Sequence, residues 1–250
     1  MKARKIVGVL LAFALAAMCF GCGDAPSYSE VAEADYASTL ESFADVTDEV
    51  VEGKGFGYEL KMKMTMTYEG VTTETEATGK FVFDAEGKMS AAAESKAKSA
   101  GVEQNAKVYV DDQYLYMDVP AELSEMFGGK SKVKISMDFG EDIVGEYDVL
   151  EEVLDMITAT DASDIGKLEV SGKAGETRWL KITEKLEEGE IREPSYMELK
   201  VDKDNKFQSV KMVMVEGESM VEYEMKRFTG KVTLPDLSAY EEFDPSSMMG

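Results

Sequence analysis

Any chemistry in this chain has to be done without imidazole, because its 250 residues include no histidine. Ser-His and Cys-His nucleophile pairs, imidazole zinc sites and the usual general base near neutral pH are therefore closed to it. Gly128-Gly129-Lys130-Ser131 has the ending of a phosphate-binding loop, but such a loop needs a glycine where this chain has Ser124. A glycine stop after a short helix accounts for the run. Asp202-Lys203-Asp204 starts like a calcium loop, yet Phe207 stands at the glycine position and Val213 at the bidentate glutamate position, so it reads as a hairpin turn. With 50 Asp and Glu residues, carboxylate pairs meet by chance, and a glycosidase-type pair is not readable from spacing. No catalytic residue, cofactor or metal is expected, and the chain reads as a binding module rather than an enzyme.

What remains is thioether. Seventeen methionines are present, with Met62, Met64, Met66, Met212, Met214, Met220 and Met225 on strand-like segments. Methionine is flexible and polarizable and suits surfaces that accept apolar ligands of varying shape; it also fills cores where a sheet meets a helix. Both uses are open at this point.

The elements that position these residues follow from periodicity. Residues Glu30 to Glu52 carry Tyr36, Leu40, Phe43, Thr47 and Val50 at three- and four-residue spacing, which predicts an amphipathic helix ended by Gly53, Gly55 and Gly57. From Tyr58 the period drops to two. Tyr58, Leu60, Met62, Met64, Met66 and Tyr68 fall on one face, and Glu59, Lys61, Lys63, Thr65 and Thr67 on the other. Glu69-Gly70 turns the chain into a second strand, Val71 to Asp84, ending in Phe81 and Phe83.

Further strands are expected at Lys88 to Ser99, Glu103 to Val110, Tyr114 to Asp118, Lys132 to Phe139, Lys167 to Ser171, Thr177 to Leu186, Tyr196 to Asp202, Phe207 to Val215 and Ser219 to Phe228. A short helix follows Pro120. A longer one is expected from Glu141 to Thr158, with Ile143, Tyr147, Leu150, Leu154 and Ile157 on one stripe. The class is α+β, mainly β, in a single domain from residue 30 to 243 with a C-terminal tail at 244–250.

Lys2, Arg4 and Lys5 precede an uncharged apolar run from Ile6 to Phe20, the pattern of an export signal over residues 1–21. The run is shorter than the ~20 residues a bilayer-spanning helix needs. Cys19-Phe20-Gly21 ahead of Cys22 resembles the bacterial lipobox, and the resemblance implies cleavage before Cys22, lipidation of that cysteine, and a tether over residues 22–29. An ordinary secretory signal that leaves Cys22 as a free thiol is the alternative. Lipidation leaves no pair of cysteines for a disulfide. Two acyl chains suffice for stable attachment to the outer face of a cell membrane.

Loss of the three leading cations moves the formal charge from -23 to -26. Nucleic acid is excluded as a partner, and an anionic lipid surface is disfavoured beyond the anchor itself.

The N-terminal amphipathic helix, the Tyr58 to Asp84 hairpin, the helix after Phe139 and the closing run from Tyr196-Met197-Glu198-Leu199-Lys200-Val201-Asp202 to Val215 together resemble the lipoprotein-carrier superfamily, which includes LolA and the mycobacterial LppX-type proteins. The resemblance implies a curved antiparallel sheet, an open half-barrel, whose concave face is covered by helices and holds acyl chains. Tyr58, Leu60, Met62, Met64, Met66, Phe81 and Phe83 would form the wall of that site. The expected partners are the membrane, through the anchor, and a lipid or other apolar ligand; the protein is expected to be a monomer. The rival reading is a structural or protein-interaction lipoprotein with a filled core.

Overall fold

In the computed structural model the described residues are 26–44, 46, 56–68, 70–84, 88–137, 157 and 160–244. Among them the strands are β1 (Ser29–Glu30), β2 (Phe56–Tyr68), β3 (Val71–Phe83), β4 (Met89–Ser99), β5 (Val102–Val110), β6 (Tyr114–Asp118), β7 (Lys132–Ser136), β8 (Ile165–Ser171), β9 (Arg178–Glu184), β10 (Tyr196–Val201), β11 (Phe207–Glu216), β12 (Ser219–Phe228) and β13 (Glu241–Glu242), and all but β1 and β13 fall on the period-two segments. These form one large, curved, unclosed sheet in the order β1-β8-β9-β10-β11-β12-β2-β3-β4-β5-β6-β7-β13. Two meanders, β2 to β7 and β8 to β12, are joined in the middle by the antiparallel pairing of β12 with β2. Only β13 runs parallel, to β7.

Alternating strand direction sends the connections to two rims. Those after β3, β5, β8 and β10 lie on the first rim, and those after β2, β4, β6, β9 and β11 on the second. Gly70 and Gly217, with φ of 77° and 57°, supply the left-handed backbone that the tight hairpins of the second rim require.

One face of the sheet, the inner face, carries the core. Its central row runs through eleven strands as Val170, Leu180, Leu199, Val210, Met225, Leu60, Gly79, Ala93, Val108, Met117 and Val133, paired neighbour to neighbour. Tyr36 and Leu40 of the helix α1 (Tyr36–Glu41), Phe43 just beyond it, and Ile157 are buried in the same cluster. The outer face is a charge lattice. Lys61 lies opposite Glu224, Lys63 opposite Glu222, and Glu59 opposite both Lys226 and Lys80.

The C-terminal segment clasps the β7 edge on both faces. Phe243 stacks on Phe127 at 5.2 Å on the core side, whereas Tyr240 lies on the outer face against Tyr116 and donates a hydrogen bond to Asp118 at 2.7 Å. On the same face Tyr116 donates to Asp111 at 2.7 Å, and burial together with that carboxylate pushes its phenol up to about 12.

Several expectations are corrected. The helix of residues 30–52 is shorter among the described residues: Glu30 belongs to β1, the Val31 N–H bonds to the Leu168 carbonyl, and a 3-10 turn over Glu33–Asp35 leads into α1. Pairing with β8 holds the start of that segment in the sheet, although the stripe of Tyr36, Leu40 and Phe43 is buried as the spacing requires. Gly57 does not end a helix; it lies inside β2, where a Cβ would meet the Phe81 carbonyl oxygen at 2.3 Å. The segment after Pro120 is a 3-10 helix over Ala121–Phe127, ending in Gly128 with φ of 67°. Strands expected as Lys167 to Ser171 and Thr177 to Leu186 are β8, which starts earlier at Ile165, and β9, which runs from Arg178 to Glu184. The signal, Cys22, Gly53, Gly55 and the body of the Glu141 to Thr158 helix lie outside the described residues. No helix among the described residues is long and apolar enough to cross a membrane.

Candidate functional site

Tyr58, Leu60, Met62, Met64 and Met66 share one face of β2 because side chains alternate along a strand. The β2–β3 register sets Tyr58 opposite Phe81, with Phe83 two residues further on the same face. All seven wall residues inferred from the sequence therefore stand on the inner face, but in three different environments.

At the first rim the aromatic residues pack. The Tyr58 ring is 5.1 Å from Phe81 and 5.8 Å from Phe207, and Phe81 meets Phe83 edge-on at 5.8 Å. Phe207 is fully buried; Tyr58, Leu60 and Phe81 are buried, and Phe83 is half-buried against them. Such tilted and edge-on ring contacts add about 0.5–1.5 kcal/mol per pair beyond area burial.

In the middle, β3 and β4 present only small side chains to the inner face: Gly79 and Ala93 lie level with Leu60, and Ala77 and Ser95 level with Met62. The row across this level continues from Met62 through Tyr223, Met212 and Met197 to Ile182. Met197 and Tyr223 escaped the reading from sequence. Alternation within β10 and β12 carries the signal for both, once β12 is known to pair with β2.

Towards the second rim the same face opens. Met64 is 9 % exposed and Met66 is 46 % exposed. Their neighbours become short or protrude: Thr75 and Thr73 on β3, Ala97 and Ser99 on β4, Val221 on β12 and Met214 on β11. Met220 points to the other face, opposite Thr65, and so leaves the group of methionines singled out by spacing.

The second rim is braced beside this opening. Arg192 donates to both carboxylate oxygens of Glu184, at 2.7 and 2.8 Å, and to the Val215 carbonyl at 3.1 Å. The Ser195 N–H donates to Glu184 at 3.0 Å, and the Ser195 hydroxyl accepts from the Val215 N–H at 3.1 Å. The guanidinium holds the Glu184 carboxyl well below the usual carboxylate range, at about 2.

On the outer face, the Lys61 ammonium is buried without a hydrogen-bond partner, and desolvation lowers its pKa against the nearby Glu224. Among the described residues no group of three or more Cys, Asp or Glu side chains is placed to hold a metal ion. The arrangement offers dispersion contacts and an apolar surface that opens at Met66.

No protein-family model matches this chain, and no curated protein sequence matches it. Among solved structures, the crystal structure of LprF from Mycobacterium bovis is similar to it at 10 % identity and a TM-score of 0.38, over 84 % of this chain and 98 % of that one.

Proposed function

We propose that the chain is a lipid-anchored extracytoplasmic protein that binds or passes on a lipid or another apolar ligand along the inner face of its sheet. The carrying observation is the inner face of β2, where one continuous apolar file runs from buried Leu60 through half-buried Met62 and buried Met64 and opens at Met66. A face that serves only as core needs no thioethers beyond the packed region; flexible thioethers at its open end fit a surface that adapts to acyl chains. The lipobox-like residues before Cys22 support the anchor, and two acyl chains there would keep the protein on the outer face of the membrane.

On this reading helices cover the inner face, where Tyr36 and Leu40 of α1, with Phe43 and Ile157, are buried in the core cluster. The fully packed first-rim end favours one rival, a structural lipoprotein whose core admits no ligand.

Native mass spectrometry with lipid extraction, on the domain from Ser27 onward purified from a lipid-containing host, separates the two. Co-purified lipid that is lost on Met64→Glu or Phe83→Lys in variants with an unchanged circular dichroism spectrum supports the binding reading. A clean apo mass with no uptake of added lipid supports the filled domain.

A further inference from the structure

Among the described residues six large apolar side chains stand exposed: Met66, Val71, Val102, Met126, Ile191 and Met214. Each lies at the second rim, on the strand ends or connections of β2–β3, β4–β5, β6–β7, β9–β10 and β11–β12; none lies at the first rim. A single exposed apolar residue is ordinary on any surface. Confinement of all six to one rim is the distribution of an interaction surface.

The most prominent of them is also held in place. Ile191 is 101 % exposed, and Arg192 next to it is tied to Glu184 on β9 and to the Val215 carbonyl on β11. The Glu187 N–H also donates to the Glu190 carboxylate at 2.9 Å, closing the loop on itself. A tip preorganised in this way loses little conformational freedom when it docks.

The charge around these residues selects the partner. Glu125, Glu187, Glu188, Glu193, Glu216 and Glu218 are exposed among them and outnumber exposed cations such as Lys98 and Lys185 at the same rim, while Arg192 is engaged by Glu184 and Glu190. A second copy of this chain, at a formal charge of -23, and an anionic bilayer are both repelled by such a rim.

The path of the chain points the same way. β1 enters the sheet with Ser29 beside Val170, one residue from the first-rim end of β8. The seven residues from Cys22 to Tyr28 reach at most about 25 Å, less than the roughly 43 Å that the thirteen residues of β2 span. On the anchored reading of Cys22, from which this step starts, the first rim is the end nearer the membrane and the apolar rim faces away.

We propose that the second rim docks a protein partner whose contact surface is apolar and ringed by Lys or Arg, such as a basic amphipathic helix. Apolar tips enter the partner's apolar stripe, and the flanking carboxylates pair with its cations.

The test uses the full-length chain in phosphatidylcholine nanodiscs, with the N-terminal peptide weighed for acyl chains and an environment-sensitive fluorophore on Ile191→Cys. The probe is an amphipathic Leu/Lys peptide about five turns long. The expected result is no spectral shift on moving from detergent to nanodisc, a blue shift on adding peptide, and micromolar affinity for the unlabelled protein. The triple variant Met126→Ser, Ile191→Ser, Met214→Ser conserves charge and should weaken peptide binding by about tenfold or more. Asp112→Asn on the first rim should change it by less than about twofold. Absence of binding, binding unaltered in the triple variant, or a blue shift produced by the bilayer alone overturns the proposal. An unacylated N-terminal peptide defeats the anchor reading separately, and the peptide titration still decides what the rim binds.

Discussion

The two ends of the inner face are built from the same strands and differ in what fills them. At the first-rim end Tyr58, Phe81 and Phe207 meet ring against ring and are shut away from water. At the second-rim end the same strands carry Met64, Met66, Thr73, Thr75 and Met214, and exposure rises within three residues of β2 from 9 % at Met64 to 46 % at Met66. The difference separates two tasks. One end supplies the free energy that keeps a long sheet folded, which leaves the other free to carry flexible side chains at little cost to stability.

The largest effect is expected from cutting into the packed end. Phe207→Ala removes a fully buried ring that touches Tyr58, and phenylalanine truncations in cores cost about 3–5 kcal/mol. Urea unfolding followed by Trp179 fluorescence should show a lowered midpoint with an unchanged slope. A loss below about 1 kcal/mol would mean that the two ends are not distinguished by packing.

Next in size is Gly57→Ala. The added methyl would overlap the Phe81 carbonyl oxygen, which belongs to the neighbouring strand and cannot rotate aside, so β2 and β3 must part locally. Overpacking of this kind costs about 1–3 kcal/mol. Hydrogen exchange should speed up at the first-rim end of β2 and β3 and stay unchanged at Thr65 and Thr75; equal acceleration along the whole hairpin would show that the sheet responds as one unit.

Gly57 also shows where the sequence misleads. Three glycines at 53, 55 and 57 look like a helix stop, yet the role of Gly57 is to allow a close approach by β3, which only the pairing reveals. Strand identity was legible because period-two alternation is local: β2, β3, β6 and β12 lie within about two residues of where alternation sets them. The order of strands was not. The pairing of β12 with β2 joins residues more than 150 positions apart, and no pattern within either strand encodes it. The two-residue strands β1 and β13 are too short to show a period, and each is fixed by what it pairs with. In the candidate site, the shared face of the seven residues was readable from alternation and the turn at Gly70. The division into packed and open ends was not, because exposure depends on which elements lie above the sheet.

A smaller effect, confined to the second rim, is expected from acid. The Glu184 carboxyl is held at about 2 in the folded protein against 4.5 for a free glutamate, chiefly by the Arg192 hydrogen bonds. A depressed folded-state pKa adds stability that is complete above about 4.5 and is lost as pH falls towards 2. Both partners reach solvent, so water weakens the pair and the loss stays local. The Ser195 amide, which donates to Glu184, should lose exchange protection between pH 4.5 and 2 while amides around Leu199 and Val210 keep theirs. Simultaneous loss in both places would tie the rim to the core and erase the contrast between the ends.

The smallest effect on stability is expected where the effect on binding should be clearest. Met66→Ser replaces a side chain already open to water, and surface changes of this kind stay within about ±0.5 kcal/mol. Met64→Ser, one step inward on the same face, removes a buried thioether and should cost about 2 kcal/mol or more. If the open end receives an apolar ligand, Met66→Ser lowers uptake of a fluorescent fatty acid while leaving the unfolding midpoint in place. Equal destabilisation by the two substitutions would show that Met66 is core after all, and that the opening of the inner face begins beyond the end of β2.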